Sequence, residues 1–456
     1  MTSDRKYDVV VVGAGIAGLA TAELFARDGL SVLLLEKNQH VCSESSGAHH
    51  EWFHFGSLYA IFPSNDFMRT LVGGIDDLLA YYSDFPGMNL RVDQSGGLQV
   101  VDAPGAWIRD EPIEYIVTAR NDPDFSLREF NGAVGYSKKL FFLLTWEFAI
   151  KQFISRHQRF HSFDWRSGQA SEWVPRKGWW NYSRDVIFSV TDLDAALDRH
   201  THFRVPGFDR PMNSSLIVGD LLRSFLEAGG ELRVGTSVRD VSPTPGGGAE
   251  VGLEDDRRVH GRHVVITSGR TLNKFLEESD ARLKVVSSPL LVVYPAVCRQ
   301  NFVRLTPFPE KTMNHLRHSA EGRPYSLIGG SYFANLGDEE GGACACRELV
   351  NMAQSAFPEI EGAEVVEPYE SCKVEMTGGR FERNYQYHVK ELEAGVYAAV
   401  PGKFSLGFSL ALDLFKKITG RTPPSHKMKA DLDVSIYLSP VRHKKIVLDY
   451  LAQTKS

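Results

Sequence analysis

The chain has 456 residues, 43% of them hydrophobic, enough for a large core and too many for one domain of ordinary size, so two joined domains are expected. Lysine and arginine number 51 against 57 aspartates and glutamates, a net charge of −6 that offers no basic surplus for nucleic acid. The five cysteines (Cys42, Cys298, Cys344, Cys346 and Cys372) are too few, and odd in number, for a disulfide framework, so a reducing, cytoplasmic setting is expected.

The first segment, "YDVVVVGAGIAGLATAELFARDGLSVLLLEKN", reads as strand, tight turn, helix and strand. Val9 to Val12 form a β-branched run suited to a strand buried on both faces. Gly13, Gly15 and Gly18 make G-x-G-x-x-G. The first permits the turn, the second lets backbone approach a pyrophosphate, and the third lets the helix pack closely on the sheet. Ile16 and Ala17 open the helix, whose free N–H groups and positive dipole end suit phosphates. Gly29 is expected to close it. Glu36, with Lys37 beside it, ends the second strand about twenty residues past the glycines, where a carboxylate accepts from a ribose. Together these parts specify dinucleotide binding. No second such motif stands in a strand–helix frame. No apolar run reaches the length of a membrane span.

Next comes "GAHHEWFHFGSLYAIF", residues 47–62, which packs His49, His50 and His54 among aromatic side chains. Four readings of it stand. The histidines hold a metal; one of them is attached covalently to a cofactor; the run is a strand lining the cofactor, with His54 or His50 near substrate; or the histidines are packed core. The third is carried forward, because adjacent histidines point apart on a strand and "EWFHFGS" does not favour the helix that pairing His50 with His54 would need. No metal is therefore expected.

Downstream, "NLRVDQSGGLQVVD" (89–102) predicts a hairpin turning at Gly96–Gly97. Residues 146–180 hold Trp146, Trp165, Trp173, Trp179 and Trp180, read as core, partner surface or a lid over substrate. Asn213–Ser215 is expected to cap a helix that ends at Gly229–Gly230. "PTPGGG" (243–248) is a plain turn between strands. "SSPLLVVYPAVC" and "RPYSLIGGSYFA" have strand composition, and "CRELVNMAQSAFPEI" is a helix stopped before Pro358. Cys344 and Cys346 form C-x-C without a second zinc-ligand pair and read as ordinary thiols. The strand and glycine loop of "GVYAAVPGKFSLGFSLALDLFKKITG" (395–420) lead into another helix. The C-terminal tail is basic, then amphipathic, and suits packing on the body or on a second copy in a homodimer.

This order of parts resembles the FAD-dependent D-amino-acid-oxidase-like (DAO) superfamily over most of the chain, most closely at 8–59, 213–270 and 390–420. In its N-terminal motif it is nearest to L-2-hydroxyglutarate oxidase and glycerol-3-phosphate dehydrogenase-like flavoenzymes. The resemblance implies an α/β Rossmann-like FAD domain of glutathione-reductase type (1–80, 213–282, 391–425). An α+β substrate domain on a mixed or antiparallel sheet is interleaved with it (81–212, 283–390), and a C-terminal tail follows (426–456). It also implies non-covalent FAD. Ser45, Ser46 and Gly47 would meet the diphosphate, and the backbone of Val238 the adenine. Ser268 and Gly269 would close the nucleotide domain, and Gly402, Lys403, Phe404, Ser405 and Leu406 would face the flavin pyrimidine edge. Ser46, Gly47, His54, Gly56 and Tyr59 match the hydroxyglutarate-oxidase stretch, while His49, His50 and Glu51 replace its Asn-Ser-Gly. Lys373 stands nearest the carboxylate-binding arginine of relatives, with Arg380, Arg383, Tyr385, Tyr387 and His388 following.

The implied reaction is hydride transfer to flavin N5 from a small amine, amino acid or hydroxy acid. His54 or His50 would serve as base, with Tyr59 and Lys373 in the substrate site and O2 or another acceptor taking the electrons. A specialised biosynthetic substrate is compatible with the departures. A monooxygenase-type enzyme and a non-catalytic flavin-binding protein remain as alternatives.

Overall fold

The computed structural model describes residues 6–61, 66–94, 96–118, 201–245, 247–276, 282–305, 312–377, 386–426 and 432–455, together with Leu143, Leu144, Glu147 and Ile150. The tryptophan-rich segment, apart from Glu147 and Ile150, lies outside the described residues, as do Arg380, Arg383 and Tyr385.

The strand Lys6–Val12 lies between two parallel neighbours, Val32–Leu35 and Arg258–Ile266. The sheet continues in parallel to Glu231–Arg233 on one side and Val396–Val400 on the other. Every residue of Val32–Leu35 and Val396–Val400 is buried, as the unbroken apolar runs require when both faces are covered. An antiparallel meander, Val238–Pro243, Ala249–Leu253 and the start of Arg258–Ile266, is set around the "PTPGGG" turn. His388–Glu393 pairs antiparallel with Val396–Val400 and so belongs to this first sheet.

Three helices pack on one side of that sheet. Ile16–Arg27 lies against Ser214–Glu227 and Gly407–Thr419. Residues 16–26 are all buried, because both of its flanks are covered. The one carboxylate inside it, Glu23, is held by Arg27 at 3.0 Å and accepts from Ser224 Oγ at 2.7 Å. Gly29, at φ +86°, follows the helix as the sequence predicts.

The second sheet joins Ile113–Thr118, Thr201–Pro206, Arg282–Tyr294, Asn301–Leu305, Met313–Ala320, Arg323–Gly330, Ala334–Asn335 and Val365–Thr377. Arg282–Tyr294 and Val365–Thr377 are paired antiparallel along their whole length. The expected hairpin forms from Leu90–Val92 and Leu98–Val100, with Gly96 at φ +84°. The C-terminal helix Arg442–Lys455 docks on the second sheet and buries Val447 and Leu451 beside Tyr325 and Tyr369.

Three local expectations are corrected. The run 47–62 is strand only at Trp52–Phe53, flanked by the tight turns Ser45–Gly47 and Ser57–Ile61. Among the described residues its partner strand is Arg210–Pro211, too short to extend it. Asn213 precedes Ser214–Glu227 but does not cap it with its side chain. Asn213 Nδ2 donates instead to Ala106 O, and the Ser214 N–H donates to the carboxylate of Glu51. The helix predicted from Cys346 begins earlier, at Glu339, because Asp338 accepts from the Gly341 N–H and caps it there.

Candidate active site

The glycine turn is built by contacts that only glycine allows. Gly13 sits at φ +99°, and its N–H donates to Leu35 O at 2.8 Å. A Cβ on Gly18 would lie 1.9 Å from Gly13 O and 2.5 Å from Thr267 Oγ1. Thr267 donates from that hydroxyl to both Val12 O and Gly13 O, locking turn, helix and neighbouring strand together. Glu36, nearly buried, accepts from the Ala14 N–H at 2.8 Å and the Asn38 N–H at 2.9 Å. Ser46 Oγ accepts from the Ile16 N–H at 3.1 Å, so the serine loop closes onto the helix N-terminus.

An open cleft of about 1800 Å³, mouth included, starts at this turn. Gly13, Gly15, Ile16, Ala17, Glu36, Lys37, Ser45, Ser46, Val238, Ser268, Gly269, Gly402, Lys403 and Phe404 line it. So do His50, His54 and Lys373. Gly18, Gly47, Ser405, Leu406 and Tyr59 do not. Gly47 serves the loop, where a Cβ would meet Cys42 O at 2.3 Å. Residues the sequence did not single out also line the cleft, among them Cys42, Glu44, Arg270, Lys274 and Cys372. Glu44 bridges Lys37 at 2.9 Å and Arg270 at 3.1 Å. No local motif marks these residues, because their shared feature is position on the cleft wall.

At the far end His54 stacks on Trp52 with ring centroids 4.4 Å apart and meets the Tyr59 ring at 5.3 Å. Lys403 Nζ lies over Tyr59 at 5.1 Å, and His49 packs on Phe404 at 4.9 Å. Behind His54 stands Asp209, fully buried. Its carboxylate accepts from Trp52 Nε1 at 3.0 Å, Tyr115 OH at 2.7 Å, Phe55 N–H at 2.7 Å and Gly56 N–H at 3.2 Å. Its Oδ2 is 3.7 Å from His54 Nδ1. Burial alone would raise the Asp209 pKa; its hydrogen bonds outweigh that and hold it below the ordinary 3.8. Burial pushes His54 down to about 4, with Asp209 partly opposing it, so the ring is neutral at neutral pH. His50 is lowered well below its ordinary value, first by burial and then by Lys373. Lys373 donates to Ser288 Oγ at 2.9 Å and lies over the Phe333 ring at 4.9 Å.

Comparison with known proteins places this geometry. Residues 8–129 match the model of the DAO family, described as FAD dependent oxidoreductase. That stretch is similar to a DAO-type FAD-dependent oxidoreductase domain. The fold agrees with solved structures over most of the chain. Glycine oxidase from Geobacillus kaustophilus superposes with a TM-score of 0.60 at 16% identity, covering 96% of this chain and 99% of that one. The L-alpha-glycerophosphate oxidase of Mycoplasma pneumoniae, solved with FAD bound, gives 0.63 at 13% identity, covering 94% and 99%. NikD, an unusual amino acid oxidase essential for nikkomycin biosynthesis, gives 0.59 at 16% identity, covering 95% and 97%. At these identities the likeness to solved structures carries the fold alone. No curated protein sequence matches the chain.

The DAO-type cofactor is FAD, and the residues present fit it. The Gly13–Gly15 turn and helix N-terminus offer a phosphate cradle, with Glu36 beside them for the ribose. Ser268, on the wall of this cleft, has a buried Oγ without a hydrogen-bond partner, the state of a donor that a polar cofactor satisfies. No helix among the described residues is long and apolar enough to cross a membrane.

Proposed function

We propose that this DAO-type enzyme oxidises the C–N or C–O bond of a small amine, amino acid or hydroxy acid, with FAD held non-covalently. One observation carries the reading. The cleft that begins at the Gly13–Gly15 turn and Glu36 continues without a break to His54, His50 and Lys373. Nucleotide-binding features and proton- and anion-handling side chains thus share one cavity. Bound FAD supplies a two-electron acceptor for hydride from the substrate carbon, later discharged to O2 or another acceptor.

The chain's own residues do the rest. His54 accepts the O–H or N–H proton of the substrate on a ring nitrogen. Protonated His54 then gains a favourable interaction with Asp209, whose carboxylate is already 3.7 Å away. Trp52 and Tyr59 fix the ring plane and exclude water. Lys373 attracts the carboxylate of an acid substrate as a point charge. A substrate of specialised chemistry fits the replacement of small residues by His49, His50 and Glu51 along the run.

The test is anaerobic titration of FAD-loaded protein with amines, amino acids and hydroxy acids, following loss of flavin absorbance. Bleaching by one class supports the reading; FAD-loaded protein that no compound of these classes reduces would overturn it. Flavin left in the supernatant after acid precipitation supports non-covalent binding, and flavin in the pellet refutes it.

Two variants sharpen the roles. His54→Gln is expected to lower the reductive rate about 10²- to 10⁴-fold without loss of FAD. The wild-type rate should also fall as pH drops through about 4, where His54 becomes protonated. An acid limb unchanged in the variant would remove His54 from the proton-transfer role. Lys373→Met is expected to raise KM for acid substrates about 10- to 100-fold, the worth of one charge-assisted hydrogen bond, and to leave amines unaffected. Stopped-flow and steady-state kinetics on matched acid and amine substrates check this.

A further inference from the structure

We propose that Glu51, His318 and His443 form a structural binding site for one divalent transition-metal cation of the zinc type, behind the histidine run and separate from the FAD cleft. The three come from distant parts of the chain. Glu51 follows His50, His318 lies on the strand Met313–Ala320, and His443 lies on the C-terminal helix Arg442–Lys455. One ligand atom from each falls within 4.8 Å of the others. Glu51 Oε2 is 3.6 Å from His318 Nδ1 and 3.5 Å from His443 Nε2. Ligands on a tetrahedral zinc, with bonds of about 2.0–2.1 Å, stand roughly 3.3 Å apart, close to both separations from Glu51, and the two histidines come within the same 4.8 Å.

The second line of observation is the hydrogen bonding. His443 Nε2 is buried and has no hydrogen-bond partner, although it faces Glu51 Oε2. The other ring nitrogen of His443 is paired, at 2.7 Å, with Tyr325 OH. That is the arrangement of a metal-bound histidine, one nitrogen on the ion and the other oriented by a neighbour. Glu51 is likewise fixed at one oxygen, since Oε1 accepts from Ser214 N–H at 2.8 Å and Ser214 Oγ at 2.6 Å, leaving Oε2 for the ion. Its backbone sits at φ +55°, a conformation rare for a non-glycine residue and found where surroundings impose it.

The ligand chemistry selects the cation. Two imidazoles and one carboxylate suit zinc and its first-row neighbours, whereas calcium and magnesium take oxygen. Arg109 and Lys444 add positive charge around Glu51, which the bonds from the two imidazoles and the carboxylate must outweigh. Bound metal would tie the turn carrying His49 and His50 to the second sheet and the C-terminal helix.

The test uses tag-free, FAD-loaded full chain, stripped with chelator and titrated with Zn2+ or Co2+. Expected are one cation per chain after gel filtration, a visible Co2+ band of a four-coordinate nitrogen and oxygen site, and a raised melting temperature. Glu51→Gln and His318→Gln should each weaken binding at least tenfold while FAD absorbance is kept. Wild type that retains less than a tenth of a cation per chain overturns the proposal, as does binding unchanged in both folded variants. Should both variants lose FAD and fold, the wild-type stoichiometry and Co2+ band alone decide between these outcomes.

Discussion

Replacing Gly18 with alanine is expected to cost this protein its FAD and roughly 3 kcal/mol of stability, the upper part of the range for overpacking a close-packed interior. The added methyl would sit 1.9 Å from Gly13 O, a backbone atom that cannot swing away like a flexible side chain. Gly13 O also accepts from Thr267 Oγ1 at 2.8 Å, and its residue is held at φ +99°. Any shift that relieves the clash therefore opens the phosphate turn. Gly15→Ala is a useful contrast in stability, because within the protein its Cβ would meet only Ser46 Oγ, at 3.3 Å, so its effect should fall on FAD binding more than on the melt. Gly73→Ala is the control: nothing lies within 4 Å of the added Cβ, and the helix should gain about 0.5–1 kcal/mol. Flavin absorbance per chain and thermal melts of the three variants check the order. Equal FAD content and melting temperature in Gly18→Ala would remove the close-approach argument.

Asp209→Ala is expected to destabilise the protein by about 3–5 kcal/mol, as breaking a buried charged network does. Four donors converge on that carboxylate, from Trp52, Phe55, Gly56 and Tyr115, and all lose that buried acceptor without it. Asp209→Asn keeps the shape and part of the bonding, so it isolates the charge. Because the folded pKa of Asp209 is held below its ordinary 3.8, its stabilising effect is fully present above that value. The effect is lost as pH falls through the folded pKa. Acid destabilisation below about pH 4 should accordingly be shallower in Asp209→Asn than in wild type. Losing the charge beside His54 also lowers the histidine pKa further, moving the acid limb of the rate to lower pH. Denaturant melts from pH 3 to 8, paired with the pH–rate profile, test both effects (roughly the span over which carboxylates and His titrate). Parallel curves for the two proteins would show that Asp209 supplies shape without charge.

The sequence by itself determined the nucleotide half of this molecule. A G-x-G-x-x-G turn, its flanking strands and the acid at Glu36 are local, because turn, helix start and strand end are set by residues close in the chain. The glycine requirement at Gly13 and Gly18 is likewise a backbone matter, legible in the residue type alone. The hairpin around Gly96 and the helix end at Gly29 were readable for the same reason. What the histidine run does could not be read this way. The run reads as one strand lining the cofactor, yet among the described residues only Trp52–Phe53 pairs, because pairing is decided by whichever segment arrives beside it.

Only the tertiary structure decided which acid stands behind His54. Asp209 lies 157 residues from Trp52 in the chain, inside "GFDRP", where it looks like any turn aspartate. The cap on Ser214–Glu227 passed from its own asparagine to Glu51, 163 residues away, since a buried N–H takes the nearest carboxylate in space. The meeting of Glu51, His318 and His443 has the same origin. Local geometry depends on neighbours in sequence, whereas a buried polar site depends on which distant side chains the packed core leaves facing one another.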